Sequence, residues 1–307
     1  MPTIGLLTPS DVDDVVRAVT RDLRRASEDN AFIDARFDGR ELAELYRNRQ
    51  SPTWVAREHT RLVGHLTATT LTRPSGDVGA WVSPDAASFD DVATLGRLYA
   101  LAGARWLADG VEDHDVWTYD RPYSRDPWLE LGFALRFRRG SLRLDSRPEP
   151  RWPRGYSLRF GGPGDLDLAV HFSELIDVGE STGPSFARSE PSERAELSET
   201  IDDPDTIYAV VEYRGAPAAQ CIAFPLLPVR GAHERTMHLS AVVVEPSHRG
   251  RGIATVMLDQ LATQVRAQGF DYADVTWRAA NLPAASFWRA YGVTPTFVRL
   301  QRRLRAD

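Results

Sequence analysis

No lysine occurs among the 307 residues, so all 37 basic side chains are arginine. That absence excludes a lysine Schiff base, a phosphate-loop lysine and serine–lysine catalysis, and leaves arginine or backbone to bind any anion. Cysteine is almost absent too. The single Cys221 excludes an internal disulfide, a redox pair and a cysteine-cluster zinc site, and predicts a reducing compartment. No apolar run approaches the ~18 residues of a membrane span, and MPTIGLLTPSDVDD turns acidic at once, so the reading is a cytoplasmic chain with no membrane partner. A net charge of −6 argues against a nucleic-acid partner. No metal site is expected.

What is present is ordinary globular composition, 42% apolar and 26% charged, in a length that predicts about two domains. The proline-rich stretch 146–155 reads as a linker between domains 1–145 and 156–307. The same order of signals runs on either side. Pro9 and Asp11 are matched by Pro163 and Asp165, 154 residues later. Apolar residues at helical spacing follow, then a hairpin in each half. Trp128-Leu-Glu-Leu-Gly132 is echoed by Trp288-Arg-Ala-Tyr-Gly292, 160 residues later. Several matches in one order at a nearly constant offset indicate duplication of one fold. Each copy reads strand, helix, helix, hairpin, strand, helix, strand, helix, strand, an α/β class of α+β type with a mixed sheet.

The chemistry concentrates in His238-Leu-Ser-Ala-Val-Val-Val-Glu-Pro-Ser-His-Arg-Gly-Arg-Gly-Ile-Ala254, a β-branched strand that turns into a helix. Gly250 and Gly252 open that helix, where backbone N–H groups and a helix N-terminus attract an anion, and Arg249 and Arg251 add charge. His238 is the candidate base, placed by strand alternation on one face with Ser240, Val242 and Val244. Glu245 at the strand end is a second candidate.

Arg249-x-x-Gly252-x-Ala254, followed by Asn281 and then Phe287-Trp288-x-x-x-Gly292, resembles the GNAT superfamily of N-acetyltransferases over residues 156 to the end. The first half is similar only in element order and in its Trp-x-x-x-Gly ending. The resemblance implies tandem GNAT domains in which the second copy binds acetyl-CoA. The pantetheine would lie against Val242, Val243 and Val244, with pyrophosphate on the amides of Arg249, Gly250, Arg251, Gly252, Ile253, Ala254 and Thr255. Asn281, also a natural helix N-cap, and Trp288 would complete that site. His238 would act as base toward a small-molecule or peptide amine, and Ser240 and Glu245 would lie near it. Trp288 holds a position where many relatives carry a tyrosine acid, which leaves Tyr291 and Tyr272 as substitutes. In the first half, Asp90 and Asp91 stand where the anion cradle would be, so that copy reads as degenerate. A monomer or homodimer is expected. The alternative is a non-enzymatic acyl-CoA-binding or protein-interaction module.

Overall fold

The computed structural model describes residues 1–72, 78–145, 151–182, 184, 194–225 and 229–304. The chain forms two compact units. The first comprises Met1–Arg139, Val229–Ala232 and Pro295–Asp307; the second comprises Gly140–Pro228 and His233–Thr294. Part of the 146–155 linker and part of the 177–205 segment lie outside the described residues.

The first unit opens with strand β1 (Thr3–Leu6), followed by helices α1 (Val12–Asp29) and α2 (Gly39–Asn48). Strands β2 (Trp54–Glu58), β3 (Arg61–Leu66), β4 (Thr69–Thr72), β5 (Val78–Val82) and β6 (Ala87–Phe89) come next. They lead into α3 (Val92–Ala108), β7 (Asp113–Tyr119), α4 (Pro122–Glu130) and β8 (Ala134–Arg143). The buried stripe Val12, Val15, Val19, Leu23 and Ala26 recurs every three or four residues, which makes α1 a helix with one face to the core. One sheet has the order β1-β2-β3-β6, and β4, β5 and β7 are neighbours in another. The second arm of the hairpin expected in this half is thus divided between β3 and β4. At Thr67 the backbone N–H bonds Ala86 O at 2.9 Å, and β3 and β4 continue in different sheets.

The second unit repeats the order: β9 (Tyr156–Phe160), α5 (Leu166–Ser181), α6 (Arg194–Asp202), β10 (Ile207–Tyr213), β11 (Ala216–Pro225), β12 (Thr236–Val244), α7 (Ile253–Ala267), β13 (Tyr272–Arg278), α8 (Leu282–Tyr291) and β14 (Thr294–Arg303). Strands β9 to β12 are antiparallel neighbours, and β12 pairs parallel with β13. On one face Ile253, Met257, Leu258, Leu261 and Val265 of α7 pack against Met237, Leu239, Ala273 and Val275. On the other, Ala169 of α5 and Leu197 and Ile201 of α6 cover Tyr208, Val210 and Ile222. The final strand leaves this unit. From Pro295 onward it belongs to the first, where it pairs antiparallel with β7 from Phe297↔Tyr119 to Arg303↔Asp113. Conversely, Leu142 and Leu144 at the end of β8 join the core of the second unit.

Candidate active site

The site of the second unit begins where two parallel strands part. The β12–β13 register runs from Thr236↔Tyr272 to Leu239↔Val275, then ends, although both strands continue. Just beyond, β12 is bulged: Ile222 faces Ser240 and Gln220 faces Val243, so Cys221 opposes both Ala241 and Val242. Ala241 takes the left-handed conformation, φ +48°, which an L-residue adopts only at a cost.

The bulge corrects the alternation expected along β12. His238 and Ser240 lie opposite Phe224 and Ile222, on the face covered by α5 and α6. Val242 and Val244 pack instead against the core beneath α7 and α8. Val243, 7% exposed, faces Gln220. The extra residue turns the strand over, so Val242 and Val244 do not share a face with His238, whereas Val243, opposite Gln220, does.

His238 Nδ1 lies 2.5 Å from Asp274 Oδ1, and Asp274 is 1% exposed. A carboxylate so buried needs a proton donor, so Nδ1–H donates to it and Nε2 carries the lone pair. Sequence reasoning missed Asp274. Its signal was there, an Asp between the core residues Ala273 and Val275 where an unpaired charge would be costly. Helix α5 bridges the parted strands: His171 Nε2 meets Glu245 Oε1 of the segment after β12 at 2.7 Å, and Glu180 ion-pairs with Arg278 at the end of β13. Glu245 therefore already has a partner on α5.

The head of α7 is open. Gly250 and Gly252 have φ of +73° and +74°, and Gly252 is the N-cap, with no side chain to accept from the first turn. The first intrahelical bond is donated by Val256 N to Gly252 O, so the helix offers no acceptor to the amides of Ile253, Ala254 and Thr255. A Cβ at Gly252 would meet nothing within 4 Å, so the space before these amides is clear. Arg249 Nε bonds Val244 O at 3.0 Å and Arg251 Nη2 bonds Ser247 O at 3.2 Å, and both side chains are exposed.

Asn281 is the N-cap of α8, accepting from Ala284 N at 3.1 Å. Trp288 is 4% exposed in the core beside Phe287 and Tyr291. The Tyr291 hydroxyl donates to Asp259 Oδ1 of α7 at 3.0 Å. Cys221 is fully buried, and burial pushes its thiol pKa up. Among the described residues no helix is long and apolar enough to cross a membrane.

Residues 175–293 match the sequence profile of the Acetyltransferase (GNAT) family. A GCN5-related N-acetyltransferase from Sphaerobacter thermophilus has the same fold at a TM-score of 0.63 and 18% identity, over 100% of this chain and 96% of that one. A tandem GNAT protein from the clavulanic acid biosynthesis pathway aligns over 100% of both chains, at a TM-score of 0.53 and 16% identity. At such identities the likeness establishes the fold, a tandem GNAT architecture. No curated protein matches the chain.

Proposed function

We propose that the second unit is an N-acetyltransferase that moves an acetyl group from acetyl-CoA to a primary amine of a small molecule or peptide by direct attack. The observation that carries this reading is the pairing of His238 with the buried Asp274 at the point where β12 and β13 part. The cofactor would supply a thioester, whose thiol leaving group has a pKa near 8.5 and departs with little help. The open amides of Ile253, Ala254 and Thr255, with Arg249 and Arg251, would hold its pyrophosphate. Val242, Val243 and Val244 would support the pantetheine arm.

An alkyl ammonium, with a pKa near 10, must lose a proton before it attacks. His238 Nε2 accepts that proton, and Asp274 stabilises the imidazolium and fixes the ring's tautomer. Ser240, on the same face, supplies a hydroxyl beside the acceptor. Tyr291, whose hydroxyl donates to Asp259, would be the acid for the leaving thiolate.

Purified protein is assayed for free thiol release with acetyl-CoA and a panel of amines. Turnover is expected with at least one amine, and CoA binding by calorimetry with no turnover on any amine makes the chain a binding module. His238→Gln should lower kcat by roughly 10²- to 10⁴-fold, with partial recovery at high pH where the amine is already neutral. Asp274→Asn should lower it less, with KM for acetyl-CoA unchanged.

A further inference from the structure

The first unit has its own parted strands. The parallel register of β5 and β7 ends at Val82↔Val116, and a cavity of about 260 Å³ opens among the residues beyond it. That volume lies just under the ~300–1,000 Å³ of pockets for drug-sized ligands, so it suits a small molecule. Trp117 and Tyr119 of β7 and Tyr123 of α4 line it together with Phe89, while Trp128 adds a fully buried ring.

Three carboxylates line the same cavity: Asp22 of α1, and Asp90 and Asp91 at the head of α3. Asp91 is the N-cap, accepting from Thr94 N at 2.7 Å, so this helix end is closed by its own anion. Asp22 meets Arg21 Nε at 2.9 Å and Ser88 Oγ at 2.5 Å, and Asp90 meets Arg21 Nη1 at 3.1 Å and Arg61 Nη1 at 2.9 Å. The Arg21 and Arg61 side chains are 51% and 66% exposed, so water screens them more than it screens the carboxylates, at 30% and 24%. Burial, then Asp85 and Asp22, push the Tyr119 hydroxyl pKa up. Arg25 is the cation in the lining, and its guanidinium already lies 3.7 Å above the centre of the Tyr123 ring. Aromatic faces combined with carboxylates select a positively charged guest and repel a phosphate.

We propose that this cavity is a binding site for a small organic cation, an alkyl- or arylalkyl-ammonium ion held by ring faces and by the Asp22 and Asp90 carboxylates. The site is separate from the acyl-transfer chemistry and stands whether or not the second unit is an enzyme.

The test uses the full chain and two quaternary ions with no nitrogen-bound proton to transfer, choline and phenyltrimethylammonium, with phenylacetate as the anionic counterpart. Calorimetry and tryptophan fluorescence should both show saturable binding of a cation and none of phenylacetate. Asp22→Asn combined with Asp90→Asn should weaken the cation by about tenfold or more, the scale of the charge–charge attraction lost with two partly buried carboxylates. Arg25→Ala, which removes the competing cation and leaves those carboxylates intact, should strengthen it. His238→Gln should leave it unchanged. No saturable binding of either cation, equal binding of phenylacetate, or an Arg25→Ala variant that binds no better overturns the proposal. The arginine variant decides the matter even where the double asparagine variant loses its near-ultraviolet circular dichroism.

Discussion

Two histidines show how neighbours decide which ring nitrogen carries the proton. His238 has a carboxylate at Nδ1, so Nδ1 carries the proton and Nε2 the lone pair. His65 of β3 has the opposite surroundings. It is 0% exposed, its Nε2 lies 2.9 Å from the Tyr46 hydroxyl, and that hydroxyl donates to Asp85 O at 2.5 Å. Nε2 therefore carries the proton, and Nδ1 has no partner among the described residues. A second proton would go to Nδ1, with nothing to receive it. Burial above all drives the His65 pKa down to about 4, and Arg49 and Arg21 add to the effect against the opposing Asp85. The folded pKa is lowered below the unfolded value of 6.5, so the unfolded chain binds the proton first as pH falls. The stabilisation is complete above pH ~6.5 and is lost progressively toward pH ~4, about 3 kcal/mol in all at ~1.36 kcal/mol per unit. Urea unfolding at a series of pH values should show that slope, and His65→Gln should remove this share of it while costing stability at neutral pH. Identical slopes in the two proteins would assign the acid sensitivity elsewhere.

At the scale of elements, the two halves differ most at the head of one helix. Helix α3 lies between the parallel neighbours β5 and β7, and α7 between the parallel neighbours β12 and β13, yet α3 is capped by Asp91 and α7 by Gly252. Of the two aspartates expected at the cradle, Asp91 holds the place of Gly252, while Asp90 pairs with Arg21 and Arg61. Gly252→Asp would set a carboxylate before the open amides of α7 under the strain of φ +74°, so CoA affinity should fall sharply. Gly252→Ala meets no neighbour and carries only the strain of φ +74°, about 1 kcal/mol, with a much smaller loss of affinity. Calorimetry with CoA on both variants checks this, and equal losses would show that backbone shape alone governs the site. The helices and the open helix head were legible because periodicity and glycine spacing are local. The bulge at Ala241 was not, because nothing in Ser-Ala-Val announces a left-handed alanine. Asp274 became meaningful only when β13 was laid beside β12, a pairing across 36 residues.

For the whole molecule, the duplication visible in the sequence and the units of the structure divide the chain differently. Reading two copies in series predicts that residues after Gly292 close the second copy, but β14 from Pro295 onward closes the first. Phe297, Val298 and Leu300 are 1%, 0% and 0% exposed, and they pair with Tyr119, Thr118 and Val116 of β7. Arg299 reaches the buried Asp115 at 3.0 Å. At ~1.5–3 kcal/mol per buried apolar side chain, the three together contribute roughly 5–9 kcal/mol, on the order of a domain's whole net stability. A chain ending at Thr294 should therefore lose the fold of a unit whose other residues lie mostly before Gly140. Hydrogen exchange checks this directly: the amides of β7 should lose their protection, whereas those in the middle of α7, bonded within their own helix, should keep more of theirs. Protection of β7 equal to that in the full chain would mean that β14 is dispensable to the first unit, and the two copies would then be separable where the repeat divides them.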